Sequence, residues 1–534
     1  MKHYIFILIL TLFMGSSCDI LDKEPDFTVP ENYYKTEDEL QKALNGIYNR
    51  LIDTNGRMYS KALYSYFTIS DESFYKNIST ASKNIKVHSM DAANIDIGRF
   101  WEVLYEAVNR ANMLLDNTKE MELDTRNKKA IKGETLFLRA YYYFLLTDFF
   151  ERVPLKLEST KTANDKYLAQ ASLQDIYDRI VADMKEASTL VYDIDQLPSN
   201  ERVSKTAVQA ILARVYLKMA GMPLTSDPSS AQAQEYYAQA LVYADSVIVS
   251  SKHSLNEDYK QIFINHSQDV NESRECLWEV GMFGNKLGDV DLAGSVGIEN
   301  GIYCMSEEIG YSGGPIQITK KLYDLYGEKD SLRRDWCIAP YRYVQNATTK
   351  VFEKRFFTSA QIYDRTPGKW RREYEKGVKA RSFNSTNFPV IRYSDVLLMK
   401  AEAENAINGP TAEAYDAINQ VRRRAFNKPT YTPDTDCDIT TGLDKAQFLA
   451  EIQDERAREF CFEGIRKHDL IRWGIYIQTM KNLAADIQKN APSSPVSYKY
   501  AASAGLNTTD RNVVFPIPNT EFVVNKLIVQ NKGW

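Results

Sequence analysis

The densest run of groups able to do chemistry lies near the end of the chain, where Glu455, Arg456, Arg458, Glu459, Glu463, Arg466, Asp469 and Arg472 follow one another closely. Paired carboxylates are what glycoside hydrolysis requires, one as acid and one as base or nucleophile. Glu455 and Glu459 are four apart and share a helix face, but each has arginines one and three positions away, which hold a carboxylate ionised. A general acid needs an apolar, arginine-poor pocket that raises its pKa. The run therefore reads as an ion-pair network locking one helix to its neighbour, and Asp395, Glu402 and Glu404 beside Arg392 and Lys400 read the same way. No GxSxG, P-loop or GxGxxG-to-helix element offers another route to catalysis. The expectation is a chain without catalytic residues.

Metal chemistry is equally thin. His3, His88, His253, His266 and His468 include no HExxH pair. Beyond Cys18, the cysteines Cys276, Cys304, Cys337, Cys437 and Cys461 show no CxxC spacing, which argues against a zinc knuckle and against a disulfide framework. No metal and no cofactor is expected. The 66 basic and 71 acidic residues give a net charge of -5 with no long block of either sign, so nothing tracks a phosphate backbone and nucleic acid is not an expected partner.

Aromatic surface is plentiful: 34 Tyr, 23 Phe and 6 Trp are more rings than a minimal helical core requires. A flat ring against the C–H face of a sugar, flanked by Asn, Asp, Arg or backbone groups for the hydroxyls, is carbohydrate-binding chemistry. Loops present such rings best. The candidates are Phe74, Tyr75 and Asn77 around Lys76, then Phe283, Asn285, Tyr303, Tyr311, Tyr341, Tyr343, Trp370 and Arg371 in the middle of the chain. Gly313, Gly314 and Gly368 are expected to turn Tyr311 and Trp370 outward. Trp101, Trp278 and Trp473 fall in helical or strand-like stretches and read as core.

The elements that must position these groups begin with an address. Lys2 and His3 precede an apolar run from Tyr4 to Met14, too short to span a bilayer but of the length of a signal-peptide core. Gly15, Ser16, Ser17 and Cys18 resemble a bacterial lipobox, whose cysteine thiol takes a diacylglyceryl group, so Cys18 is the expected lipid anchor. Asp19, Asp22 and Glu24 resemble a surface-export signal. No later segment is long and apolar enough to span.

Helices come next. Thr36 with Glu39 forms a capping-box pattern ahead of Leu40, Leu44, Ile47 and Leu51 at helical spacing. Ser172 and Ser204 open two more, and 131–150 is so apolar all round that neighbours must cover most of it. From 256 to 389 the character changes: 12 of the 24 glycines fall there and helical periodicity survives only near Ile318 to Tyr326, so loops and short strands are expected. Ser394 is read as the cap of a helix ended by Gly409 and Pro410. A second follows at once, and Asp444 with Gln447 opens another. The paired stretches Asp395 to Asn408 and Thr411 to Phe426 are one residue out of register with a tetratricopeptide repeat and support a stacked helical hairpin. The expected division is 1–17 signal peptide, 18–35 lipidated tether, 36–255 helical, 256–390 loop-rich and ligand-facing, 391–490 helical, and 491–534 an extension packing on the scaffold.

Five blocks in order resemble the SusD/RagB family across nearly the whole mature chain: 18–51, FLRAYYYFLLTDFFERVPL at 137–155, FPVIRYSDVLLMKAEAEN at 388–405, EIQDERAREFCFEGIRKHDLIRWG at 451–474 and the terminal PIPNTEFVVNKLIVQNKGW. The departures, His468, Lys526 and Trp534, are small. The resemblance implies a mainly helical fold of tetratricopeptide-like hairpins with a large irregular insertion. It also implies a lipid anchor facing the cell surface at the outer membrane, and a lid-like partnership with a TonB-dependent outer-membrane transporter. Capture of an oligosaccharide is the function it implies, with peptide capture by the same fold as the alternative and a surface glycoside hydrolase behind both.

Overall fold

Capping signals start the first half of the chain. The computed structural model describes residues 33–53, 55–284, 292–377 and 379–534; the targeting segment, Cys18 and Asn285 lie outside them. Helix α1 (Glu37–Tyr48) opens on the expected capping box, Thr36 Oγ1 accepting from Glu39 N at 3.3 Å while the Glu39 carboxylate accepts from Thr36 N at 2.8 Å. A short strand β1 (Ser73–Tyr75) follows. Then come α2 (Ile95–Asn117), α3 (Arg126–Phe150), α4 (Leu173–Leu190), α5 (Lys205–Met219) and α6 (Ala231–Val249). Ser172 and Ser204 cap α4 and α5 as expected. Helix α3 is buried from Gly133 to Phe150 because α1, α2 and α4 all pack on it.

The middle holds more helix than its glycines imply. Helix α7 (Tyr259–Gln268) stands where only loop and strand were expected: Asp258 caps it, and Tyr259, Ile262, Phe263 and His266 form one buried stripe. Strand β2 (Cys276–Val280), β3 (Ile316–Ile318), α8 (Lys320–Leu325), α9 (Ser331–Cys337), β4 (Tyr341–Gln345), β5 (Phe352–Phe356) and β6 (Phe388–Arg392) complete it. The strands form three two-stranded antiparallel ladders, β1 with β3, β2 with β6 and β4 with β5.

Helices then resume as α10 (Tyr393–Asn408), α11 (Ala412–Ala425), α12 (Lys445–Phe460), α13 (Arg466–Arg472) and α14 (Tyr476–Asn490). Asp444 and Gln447 make the expected capping box on α12. Ser394 does not cap α10. Strand β6 runs straight into that helix, so its first turn is buried, and the Ser394 hydroxyl instead accepts from Arg392 Nη1 at 2.8 Å. Neighbouring helices pair as hairpins, α3 on α4, α5 on α6 and α10 on α11, and α6 also packs on α10, giving the mainly helical stacked architecture that the sequence implies. The C-terminal stretch lies on this scaffold: Phe515 N donates to Phe149 O at 2.6 Å and Asn531 Nδ2 to Phe150 O at 2.9 Å.

One buried histidine makes the packing pH-sensitive. His88 is 2% exposed, with Nδ1 2.8 Å from Thr508 Oγ1 and Nε2 3.3 Å from Tyr476 OH. Burial first, and the nearby Lys467 charge second, lower its pKa from 6.5 to about 3. The folded ring stays neutral while the unfolded one takes a proton. Its contribution is therefore full above pH 6.5 and is lost as pH falls toward 3, at about 1.4 kcal/mol per pH unit. His88→Gln is expected to flatten the urea-derived stability by that slope over this window, and an unchanged slope would show that the ring does not titrate as placed.

Candidate functional site

Glu455 and Glu459 sit on one face of α12 and are wholly buried. Arg333 Nη1 donates to Glu455 Oε1 at 2.7 Å and to Glu459 Oε2 at 3.1 Å. Arg424 and Arg392 reach Glu459 Oε1 at 2.7 and 2.9 Å, while Arg458 and Arg422 reach Glu455 Oε2 at 2.8 and 3.2 Å. Burial raises both carboxyls, but the surrounding guanidinium groups outweigh it. Glu455 is held far below its ordinary range and Glu459 at about 2. Both carboxylates are thus permanent acceptors tying α12 to α9, β6 and α11, with neither the exposure nor the proton a general acid needs.

The ring candidates separate into two groups. Strand β1 buries Phe74 against Tyr363 and Tyr498, and Tyr75 is 3% exposed under the Lys86 ammonium. Tyr341 and Tyr343 point inward from β4, each donating to the Glu373 carboxylate. Trp370 is 1% exposed, stacked on Phe388 at 5.3 Å between ring centroids and edge-on to Phe263 at 5.4 Å. Arg371 lies 3.9 Å over the Trp336 ring and donates to Asp335 O and Gly368 O. The expectation that glycines turn Trp370 outward is corrected here. A Cβ on Gly368 would stand 2.7 Å from Trp336 O, so that glycine admits a close backbone approach that draws Trp370 into the core. A ring with both faces covered offers no platform to a sugar.

The second group is accessible, and Lys76, Tyr303 and Tyr311 come together around Gly313. Lys76 N donates to Pro315 O at 3.0 Å just beyond the β1–β3 ladder, and Lys76 Nζ donates to Gly313 O at 2.6 Å. The same ammonium lies 5.3 Å over the half-exposed Tyr303 ring. Asn77 follows, exposed, with a left-handed φ of 63° that asparagine tolerates. Gly314, at φ 54°, leaves room for Tyr303, since a Cβ there would stand 3.2 Å from the tyrosine's own Cβ. Tyr311, also half-exposed, carries the Arg381 guanidinium 4.2 Å over its ring. Phe283 is 66% exposed and pairs with Leu292 in an isolated bridge.

A groove of about 400 Å³ was not anticipated: Trp101 and Tyr105 on α2 line it, with Glu102, Glu106, Asp165, Lys156 and Glu521 around them. The i, i+4 placement of Trp101 with Tyr105 and of Glu102 with Glu106 was the available signal. Among the described residues, His266, Cys276 and Glu279 bring potential metal-ligand atoms within 4.8 Å of one another. As they stand they form a hydrogen-bonded core cluster. His266 Nε2 faces Glu279 at 3.3 Å, Asn387 Nδ2 donates to Glu279 at 3.0 Å, and burial pushes the Cys276 thiol up.

Residues 358–534 match the SusD family, and residues 19–217 match a family described as starch-binding associating with outer membrane. SusD-like protein P25 of Formosa agariphila is 24% identical, over 99% of this chain and 98% of its own. The starch-binding protein SusD of Bacteroides thetaiotaomicron is 24% identical, over 80% of this chain and 76% of its own. The crystal structure of a SusD homolog from Bacteroides thetaiotaomicron superposes with a TM-score of 0.85 at 25% identity, covering 95% of this chain and 98% of that one. With matches at both ends, relatives along almost its full length and the same helical scaffold, the chain belongs to the SusD/RagB family.

Proposed function

We propose that the protein binds an oligosaccharide through the surface on which Lys76 and Asn77 meet Tyr303 and Tyr311. The observation that carries this is a pair of half-exposed tyrosine rings, each with a cation over it, beside an exposed asparagine amide. The rings take the C–H faces of sugars, and the amide and the Lys76 ammonium take hydroxyls. The ligand class is supported by the starch-binding family matched by 19–217 and by the starch-binding SusD relative. The first also supports a place at the outer membrane, where lipid on Cys18 would hold the chain by the 18–35 tether. In this reading 36–255 and 391–490 form the scaffold, 256–390 faces the ligand, and 491–534 packs on the scaffold. Captured glycan then passes to a TonB-dependent transporter, without catalysis by this chain.

Affinity of such an open platform is roughly micromolar to millimolar, because few polar groups are fully desolvated. Replacing Tyr303 and Tyr311 together by alanine is expected to weaken binding by about tenfold or more, the loss typical of an anchoring ring. Calorimetry against a panel of oligosaccharides, with circular dichroism to check the fold, measures it. Full affinity in the double variant would move the site to Phe283 or the Trp101 groove. Binding of peptides and of no glycan in the panel would replace the ligand class.

A further inference from the structure

Two cysteines far apart in the chain meet in the core. Cys337 ends α9 and Cys461 follows the last residue of α12, and both are 0% exposed. Both are free thiols, Cys461 Sγ donating to Arg458 O at 3.7 Å, and the two sulfurs are close enough that each shifts the other's proton affinity. Tyr259 OH stands 3.2 Å from Cys337 Sγ, and Tyr326 OH stands 3.3 Å from Cys461 Sγ. Lys369, fully buried, has its ammonium beside both sulfurs, fixed by donation to Glu459 O at 2.7 Å and to the Glu463 carboxylate at 2.6 Å. Burial pushes the Cys337 thiol up, but the neighbouring Cys461, the Lys369 charge and the two tyrosine hydroxyls outweigh it and hold the thiol below its ordinary value. A stabilised thiolate beside a second thiol is the arrangement in which thiol–disulfide exchange runs. The other described cysteines sit elsewhere: Cys276 by Glu279, Cys304 by Ser306 O, and Cys437 by Asp434 O.

We propose that Cys337 and Cys461 close into a disulfide when the chain folds in an oxidising compartment, tying the loop-rich middle covalently to the C-terminal helices. The oxidant is a small or protein-borne disulfide, RSSR. The Cys337 thiolate attacks it, forming a mixed disulfide and releasing one thiolate. The Cys461 thiolate then attacks the Cys337 sulfur and releases the second. The two protons given up by the cysteines end on the two leaving groups as RSH, so one disulfide is reduced and one is formed. Because both sulfurs are covered in the folded chain, RSSR reaches Cys337 late in folding, once Lys369 stands beside the sulfurs and before α9 and α12 close over them.

The full chain exported to the periplasm of an expression host is denatured with N-ethylmaleimide and no reductant, then mapped by peptide mass. Cys276, Cys304 and Cys437 are expected to carry the label, while Cys337 and Cys461 appear as one linked peptide pair, two hydrogens lighter than its separate thiol forms. Prior reduction should free and label both. Refolding with oxidised glutathione should restore the same link. Labelling of Cys337 and Cys461 in both preparations, or a link to a different cysteine, overturns the proposal. A second readout uses Cys337→Ser with Cys461→Ser: reductant should lower the melting temperature of the parent and leave the double variant unmoved. An equal response in the two would also overturn it, and if the variant does not fold the peptide map alone decides.

Discussion

Arg392→Met is expected to lower stability by about 3–5 kcal/mol, because it strips a buried guanidinium from three carboxylates at once. Arg392 is 1% exposed. Its Nη1 donates to Glu275 and to Glu459, both at 2.9 Å, and its Nε and Nη2 donate to Glu463 at 3.0 and 2.8 Å. Methionine fills much of the volume, so the loss measures charge and hydrogen bonds rather than a cavity. Compensation is partial. Arg424 keeps contact with Glu275 and Glu459, and Lys369 keeps Glu463, which limits the effect to one uncompensated charge in the core rather than three. Urea unfolding followed by far-ultraviolet circular dichroism gives the number. A loss under about 1 kcal/mol would mean that Arg424 and Lys369 satisfy all three carboxylates by themselves, as a redundant network allows.

The same network shows how far local reading reaches. Arginines within three residues of Glu455 and Glu459 were enough to assign the run as structural, because charge proximity in a helix is readable from spacing. Its principal partners were not, since Arg333, Arg392 and Arg424 come from three other elements that only the tertiary fold brings in. Helix starts at Thr36, Ser172, Ser204 and Asp444 were legible for the same local reason: a cap is satisfied within three residues. Helix α7 escaped because ten residues give a single stripe, which the surrounding glycines and strands masked. Cysteine spacing likewise carries no information about Cys337 and Cys461, whose meeting depends on where α9 packs against the scaffold. At the candidate surface, composition pointed to the segments that the proposed site draws on, but ring exposure is decided by what packs opposite each ring. Lys76 reaching Gly313 is a contact between the ends of two ladder strands, which no local pattern announces.

Trp370→Ala is expected to be about as damaging as the loss of Arg392, about 3–5 kcal/mol, and to act through packing alone. The ring is fully enclosed between Phe388 and Phe263, so its removal leaves a cavity that β6 and α7 cannot close without moving. Trp370 Nε1 has no hydrogen-bond partner among the described residues, so no polar contact is lost with the ring. Trp370→Phe should therefore recover most of the stability, since it restores aromatic packing and deletes an unpaired donor. Sugar binding separates this from a ligand-contact role. Measured below its lowered melting point, Trp370→Phe should bind oligosaccharide like the parent, whereas the Tyr303 and Tyr311 double variant should fold like the parent and bind weakly. If Trp370→Phe kept its melting point but lost binding, the ring would have to reach ligand through a rearrangement of the loop around Gly368, and the Tyr303 surface would no longer suffice as the site.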